Sequence, residues 1–382
     1  MKTAWLIAMP TEQTLSPATL STASLEVLCA RLRASAANLD AYETWPKEQL
    51  AWCAEAGVFR WFVEEKYGGL NWSEIKIIEG YLALSQHCLT TTFILTQWNA
   101  ACRRIASGAN KTLRDELMPR LASGELFATV AISHLSTSRQ HLARPALTAQ
   151  RRPDGSYVLN GFSAWVTGGA FADYIVVGAT LPDGNQVLCC VPRLTPGLTT
   201  YLGQRLVAVT SSCTDKIELQ NVIVQPQDVV GGPALNVMQS GGGGGTGGLQ
   251  TSTLAIGLAT AASSFLTAEA KERPEIAAAA QSIETEVTDL RTALMSLASH
   301  RSSRLSASEL RTRANSLVLR ATQAALTVSK GAGFAAQSDI GRWAKEALFF
   351  LVWSCPQPVL AANLDALTHA DSDSDSDGCS IT

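Results

Sequence analysis

Gly155-Ser156-Tyr157-Val158-Leu159-Asn160-Gly161, then Trp165-Val166-Thr167-Gly168-Gly169 and Ala172-Asp173-Tyr174, sit inside a region of short alternating runs rich in Val, Ile, Tyr and Thr. Turn signals at Pro153-Asp154-Gly155, Pro182-Asp183-Gly184 and Pro196-Gly197 separate those runs, so the region from Leu126 to Val230 is predicted to be β structure. Outward from it the periodicity changes. Between about Thr22 and Glu125 apolar residues recur at helical spacing, as at Leu25, Leu28 and Leu32. From Leu249 to Ala366 helical spacing returns in long Ala-rich segments, broken near Arg273-Pro274 and at Gly331-Ala332-Gly333. Helices, then strands, then helices in blocks predict an α+β architecture and not βαβ alternation.

The expected divisions are a tail at 1–21, a helical domain at 22–125, a β domain at 126–235, a Gly-rich connector at 236–248, a helical bundle at 249–368 and an acidic tail at 369–382. The run Gly241 to Gly245 reads as a flexible connector. In the acidic tail, Asp373, Asp375, Asp377 and Gly378 resemble the opening of a calcium loop, but the chain lacks the glutamate that would complete it. Cys379-Ser380-Ile381-Thr382 fits a prenylation box only loosely and has no polybasic segment before it, so lipidation is not expected.

Bulk properties narrow the function classes. In 382 residues, 46% are hydrophobic and 16% charged, which suits a large core with some surface hidden between subunits. A net charge of -3 without a Lys/Arg cluster gives no footprint for nucleic acid or an anionic membrane. Nine cysteines without a C-x-x-C pair, and five histidines, indicate neither a zinc site nor a disulfide framework. The apolar run Ala4 to Met9 is shorter than a secretory segment, so a cytoplasmic address is the default expectation. No stretch reads as long enough to span a bilayer.

Several blocks, in order, resemble the acyl-CoA dehydrogenase family. Ala54-Glu55-Ala56-Gly57-Val58-Phe59 and Val63-Glu64-Glu65-Lys66-Tyr67-Gly68-Gly69-Leu70 are similar to its AGxF and PExYGGL signature, with Glu64 where the family has proline. Leu121-Ala122-Ser123-Gly124-Glu125-Leu126 resembles the lead into its first strand, and the stretch from Gly155 to Tyr174 resembles its GYxLNGxKxWITNGxxAD block. Leu202-Gly203-Gln204-Arg205, Thr214-Asp215-Lys216-Ile217 with Asn221-Val222, Gly257-Leu258-Ala259, Lys271-Glu272-Arg273 and Gly331-Ala332-Gly333-Phe334 continue the likeness.

The resemblance implies an N-terminal helical domain, a middle β-barrel or sandwich and a C-terminal four-helix bundle, assembled as a homodimer or homotetramer. It also implies bound FAD, an acyl-CoA or other acyl thioester as substrate, and an electron-transfer flavoprotein as electron acceptor. Ser133, Trp165 and Thr167 match positions that hold the flavin ring, while Arg273, Gln281 and Gly331 match positions toward its diphosphate and adenine. Taken alone, Trp165 also reads as a core aromatic, Thr167 as a β-former and Arg273 as a helix-end cation.

The catalytic half departs from the pattern. Removing the α-proton of an acyl thioester needs a positioned carboxylate. The family's loop position for that base holds Ser354, and its alternative helix position holds Gly247 beside Gly248. Where the family has Thr-Glu-Pro-Gly-x-Gly-Ser-Asp, this chain has Ser133-His134-Leu135-Ser136-Thr137-Ser138-Arg139-Gln140. His134 is a candidate acid or base or a polar loop residue, and Cys355 a candidate nucleophile or a structural thiol. The leading expectation is α,β-dehydrogenation of an acyl thioester with a displaced base. A flavin monooxygenase of the same fold and a catalytically inactive homologue stand as alternatives.

Overall fold

The computed structural model describes residues 22–42, 44–136, 145–239 and 249–368. The N-terminal and acidic tails, Gly247 and the rest of the glycine run lie outside the described residues, as does most of the loop after Ser136.

Five helices come first: α1 (Thr22–Tyr42), α2 (Lys47–Glu55), α3 (Glu74–His87), α4 (Leu89–Ser107) and α5 (Lys111–Ala122). Side-chain caps set some of their starts, with the Ser73 hydroxyl accepting from the Lys76 N–H before α3 and the Asn110 side chain accepting from the Leu113 N–H before α5. The middle region holds β1 (Ala128–Ala131), the short α6 (Ser133–Ser136), β2 (Leu147–Arg151), β3 (Tyr157–Val166), β4 (Tyr174–Thr180), β5 (Gln186–Pro192), β6 (Leu198–Thr200), β7 (Asp215–Val224) and β8 (Val229–Ala234). Then follow α7 (Leu249–Ala270), α8 (Ala277–Ala298), α9 (Ala307–Gly333), α10 (Asp339–Leu348) and α11 (Gln357–Thr368). A capping box, with the Ser306 N–H donating to Glu309 Oε2 at 2.7 Å and the Glu309 N–H to Ser306 Oγ at 3.2 Å, fixes the start of α9.

The strands form one mixed sheet in the order β6-β7-β3-β2-β4-β5-β8, with β1 pairing parallel to β4. This middle β region lies between the two helical regions, as the resemblance implied. Strand β3 is antiparallel to β7 over most of its length, with register irregularities between Leu159 and Gly161 and between Ser163 and Val166. The second irregularity spans Trp165, near the end of β3.

Helix α7 corrects one expectation from the sequence. By length and mean hydropathy of 1.2 it is long and apolar enough to cross a membrane. Leu254, Ala255, Ile256 and Ala259 are nonetheless fully buried in protein, which makes α7 the central post of the helical core. Gly257 permits its close approach to α3, because a Cβ there would lie 1.9 Å from Ser85 Oγ. A second apolar cluster, including Leu147, Leu159, Val177 and Val191, belongs to the sheet. Every cysteine among the described residues is a free thiol.

Candidate functional site

A cavity of about 760 Å³ opens where the first helices, the sheet and the last helices meet. Its sheet wall carries Ser133, Trp165 and Thr167, and its opposite wall ends on Ser354. Four residues separated by up to 221 positions in the chain therefore face one space.

On the sheet wall, the irregular register at the end of β3 turns Trp165 outward, leaving it 50% exposed within an otherwise ordered strand. Thr167 follows, buried, before the turn at Gly168, whose positive φ of 62° and contact with the Trp45 ring leave no room for a Cβ. Thr129 Oγ1 donates to the Thr167 carbonyl at 2.7 Å. The Thr167 hydroxyl lies 3.0 Å from Thr214 Oγ1, which lies 2.8 Å from Ser212 Oγ. Each hydroxyl has one proton to donate. Donation running from Ser212 through Thr214 to Thr167 leaves the Thr167 O–H for an acceptor in the cavity, and such chains polarise one another. Thr214 lines the cavity, yet the sequence marked it only as part of a motif and gave Ser212 and Thr129 no role.

The bundle wall is built differently. Phe349 and Trp353 stack at 5.3 Å, and the Phe93 ring meets both edge-on at 4.8 and 5.1 Å. Ser354 follows in the left-handed region, with φ of 47°. Arg311 of α9, 2% exposed, holds this corner by donating from Nη2 to the carbonyls of Trp353 at 2.8 Å and Phe350 at 3.4 Å. Its Nε and Nη1 have no hydrogen-bond partner among the described residues, and burial pulls its pKa down to about 10.

The two weaker catalytic candidates lie outside the cavity lining. His134 Nε2 is 2.8 Å from the Gly178 carbonyl and Nδ1 is 3.3 Å from Ser163 Oγ, which ties the ring to the sheet. Burial lowers its pKa, against a smaller opposing effect from the Gly178 carbonyl. The Cys355 thiol is held above its usual range by burial, with Arg311 working in the opposite sense, and so is poorly suited to act as a nucleophile. Arg273, Gln281 and Gly331 are also absent from the lining. Arg273 Nη1 donates to the Val328 carbonyl at 2.9 Å and pairs with Glu269 and Glu275, and Gln281 Nε2 donates to Thr285 Oγ1 at 3.3 Å. A Cβ on Gly331 would meet open space.

Sequence reasoning missed a polar lobe on the helical side. Tyr81 of α3, Asn99 and Arg103 of α4, and Gln250 of α7 line the cavity together. Arg103 Nε donates to Asn99 Oδ1 at 3.1 Å, and the Tyr81 hydroxyl donates to the Leu95 carbonyl at 3.5 Å. Burial pushes that phenol well above its ordinary range. The i,i+4 spacing of Asn99 and Arg103 was the available signal. Among the described lining residues the cations are Arg103, Arg104 and Lys345, and the only carboxylate is Glu74. No three His, Cys, Asp or Glu side chains converge as a metal site among the described residues.

The fold has counterparts in known proteins. A sequence model of the acyl-CoA dehydrogenase N-terminal domain matches residues 20–125. Mitochondrial isobutyryl-CoA dehydrogenase of Bos taurus is 26% identical over 198 residues, 51% of this chain and 47% of that protein. Thus the match spans about half the length of that relative. Among solved structures, butyryl-CoA dehydrogenase from Megasphaera elsdenii aligns with a TM-score of 0.78 at 16% identity, covering 94% of this chain and 100% of that one. Dibenzothiophene monooxygenase from Paenibacillus sp. A11-2 aligns with a TM-score of 0.74 at 16% identity, covering 90% and 96%. At such identities these likenesses concern the fold.

Proposed function

We propose that this chain is a member of the acyl-CoA dehydrogenase family and an FAD-dependent oxidoreductase that removes hydrogens from the α and β carbons of an acyl thioester. The carrying observation is the convergence of Ser133, Trp165 and Thr167 on one wall of a cavity of about 760 Å³. These residues fit a flavin ring: a half-exposed indole offers a flat apolar face, and the hydroxyl chain ending at Thr167 offers a donor from a buried, preorganised wall. When bound, FAD supplies the acceptor for the hydride leaving the β carbon.

The rest is the work of the chain itself. Trp165 and Thr167 would orient the ring, and the aromatic corner of Phe93, Phe349 and Trp353 would exclude water from the acyl group. The α-proton must go to a group other than Ser354, whose hydroxyl is too weak a base. Glu74, at the first turn of α3, is the one carboxylate among the described lining residues. An electron-transfer flavoprotein as acceptor, a homodimeric or homotetrameric assembly and a cytoplasmic site of action complete the reading.

Anaerobic mixing of the purified yellow protein with saturated acyl-CoAs of several chain lengths tests it. Bleaching of the flavin is expected, and a flavin that stays oxidised with every acyl chain would overturn the dehydrogenase reading. That result would favour a monooxygenase, a reading motivated by Ser354 at the base position and checked by oxygen incorporation with reduced flavin. Purification without flavin, together with no thermal shift on adding FAD, would instead indicate an inactive homologue.

A further inference from the structure

From the polar lobe we infer that the acyl group taken by this cavity carries an ionised carboxylate at the end remote from the thioester, and that Arg103 reads it; this rests on the acyl thioester reading above. Most of the remaining wall is apolar, with Ile77, Ile78, Phe93 and Phe349 suited to a methylene chain. Against it the lobe is a local exception. Tyr81 and Asn99 are 1% and 2% exposed, while Arg103 and Gln250 are half-buried, so the lobe runs from the interior out to the cavity surface.

A hydrocarbon end would set the charged guanidinium of Arg103 against apolar atoms. Asn99 accepts from Arg103 Nε and so fixes the plane of the guanidinium, while no carboxylate among the described residues pairs with Arg103. A half-buried cation without a counter-charge is unfavourable, and an anion arriving beside it recovers that loss. The planar fork of N–H donors left on Arg103 matches the two oxygens of a carboxylate. The Gln250 amide adds a neutral hydrogen-bonding group beside the same space.

The test compares two CoA thioesters of equal chain length on the FAD-loaded protein, one ending in a carboxylate and one in a methyl group. Binding is read from the flavin spectrum and the thermal shift. The wild type is expected to prefer the carboxylate end by about tenfold or more, roughly one charge-assisted hydrogen bond. In Arg103→Met the ratio of the two affinities falls to about one, and Arg103→Lys restores part of it. An unchanged ratio in Arg103→Met, or a wild type without preference, overturns the inference. Equal weakening of both thioesters would place Arg103 against the shared CoA portion and overturn it too. A third arm uses the free dicarboxylate alone. If neither thioester binds but the dicarboxylate gives a thermal shift that Arg103→Met abolishes, the lobe stands and the thioester reading falls; if no shift is seen, both fall.

Discussion

The two walls of the cavity are built on different principles. On the sheet side, position is set by strand register and by backbone contacts: Thr129 holds the Thr167 carbonyl, and the irregularity after Ser163 aims Trp165. On the bundle side, Ser354 depends on a left-handed corner held by one long side chain from another helix. The sheet wall brings Ser133, Trp165 and Thr167, the residues proposed to hold the flavin ring, to the cavity. By contrast, the bundle wall carries the Ser354 hydroxyl where the proposed dehydrogenation needs a carboxylate. Grip on a cofactor draws on hydroxyls and backbone that the sheet also needs for its own folding, whereas the proton-abstracting group hangs on one residue in a turn, which a single substitution can change.

Ser354→Glu is the sharpest way to break that contrast. If the corner faces the α carbon, the added carboxylate should speed anaerobic flavin bleaching by about a hundredfold or more, the usual scale of a positioned general base. A rate no faster than wild type would show that the two walls do not meet at the reacting carbons. On the sheet side, Thr167→Val keeps the shape and removes the end of the hydroxyl chain. Flavin retention, followed by dialysis and absorbance, should weaken by about tenfold, the worth of one hydrogen bond. A variant that holds flavin as tightly as wild type would leave the sheet wall a packing feature only.

The smallest effect belongs to His134. Its pKa is lowered from 6.5 by burial, so the folded state binds its proton less readily than the unfolded state does. The stability it contributes is present above the unfolded value and is lost as pH falls below 6.5 through the lower folded value. Urea midpoints should therefore drop less between about pH 7 and about pH 5 in His134→Gln than in wild type. Parallel drops would mean that the ring is open to solvent.

Much of this was legible in the chain. Period-two alternation and turn residues such as Pro153-Asp154-Gly155 marked the strands, because each face of a strand meets its own environment. Trp165 and Thr167 stood out since they fall within one contiguous block. The polar lobe did not, because Tyr81 and Gln250 lie 169 positions apart and come to the same cavity only through the packing of α3 against α7. The same holds for Arg311 and Trp353, 42 residues apart. His134 read equally well as an acid or base and as a polar loop residue; its bond to the Gly178 carbonyl, 44 residues on, is a contact no local pattern announces.

Arg311 also bears on how the chemistry of this corner can change. Even with its pKa drawn down to about 10, the guanidinium stays charged at neutral pH, and two of its nitrogens have no partner among the described residues. The positive potential there is a standing condition of the fold and does not switch with protonation. A carboxylate gained by mutation next to Trp353 would arise in a field that favours its ionised form. The protein thus carries, at a standing cost in stability, an electrostatic setting in which one codon change supplies the missing anion with its counter-charge already in place.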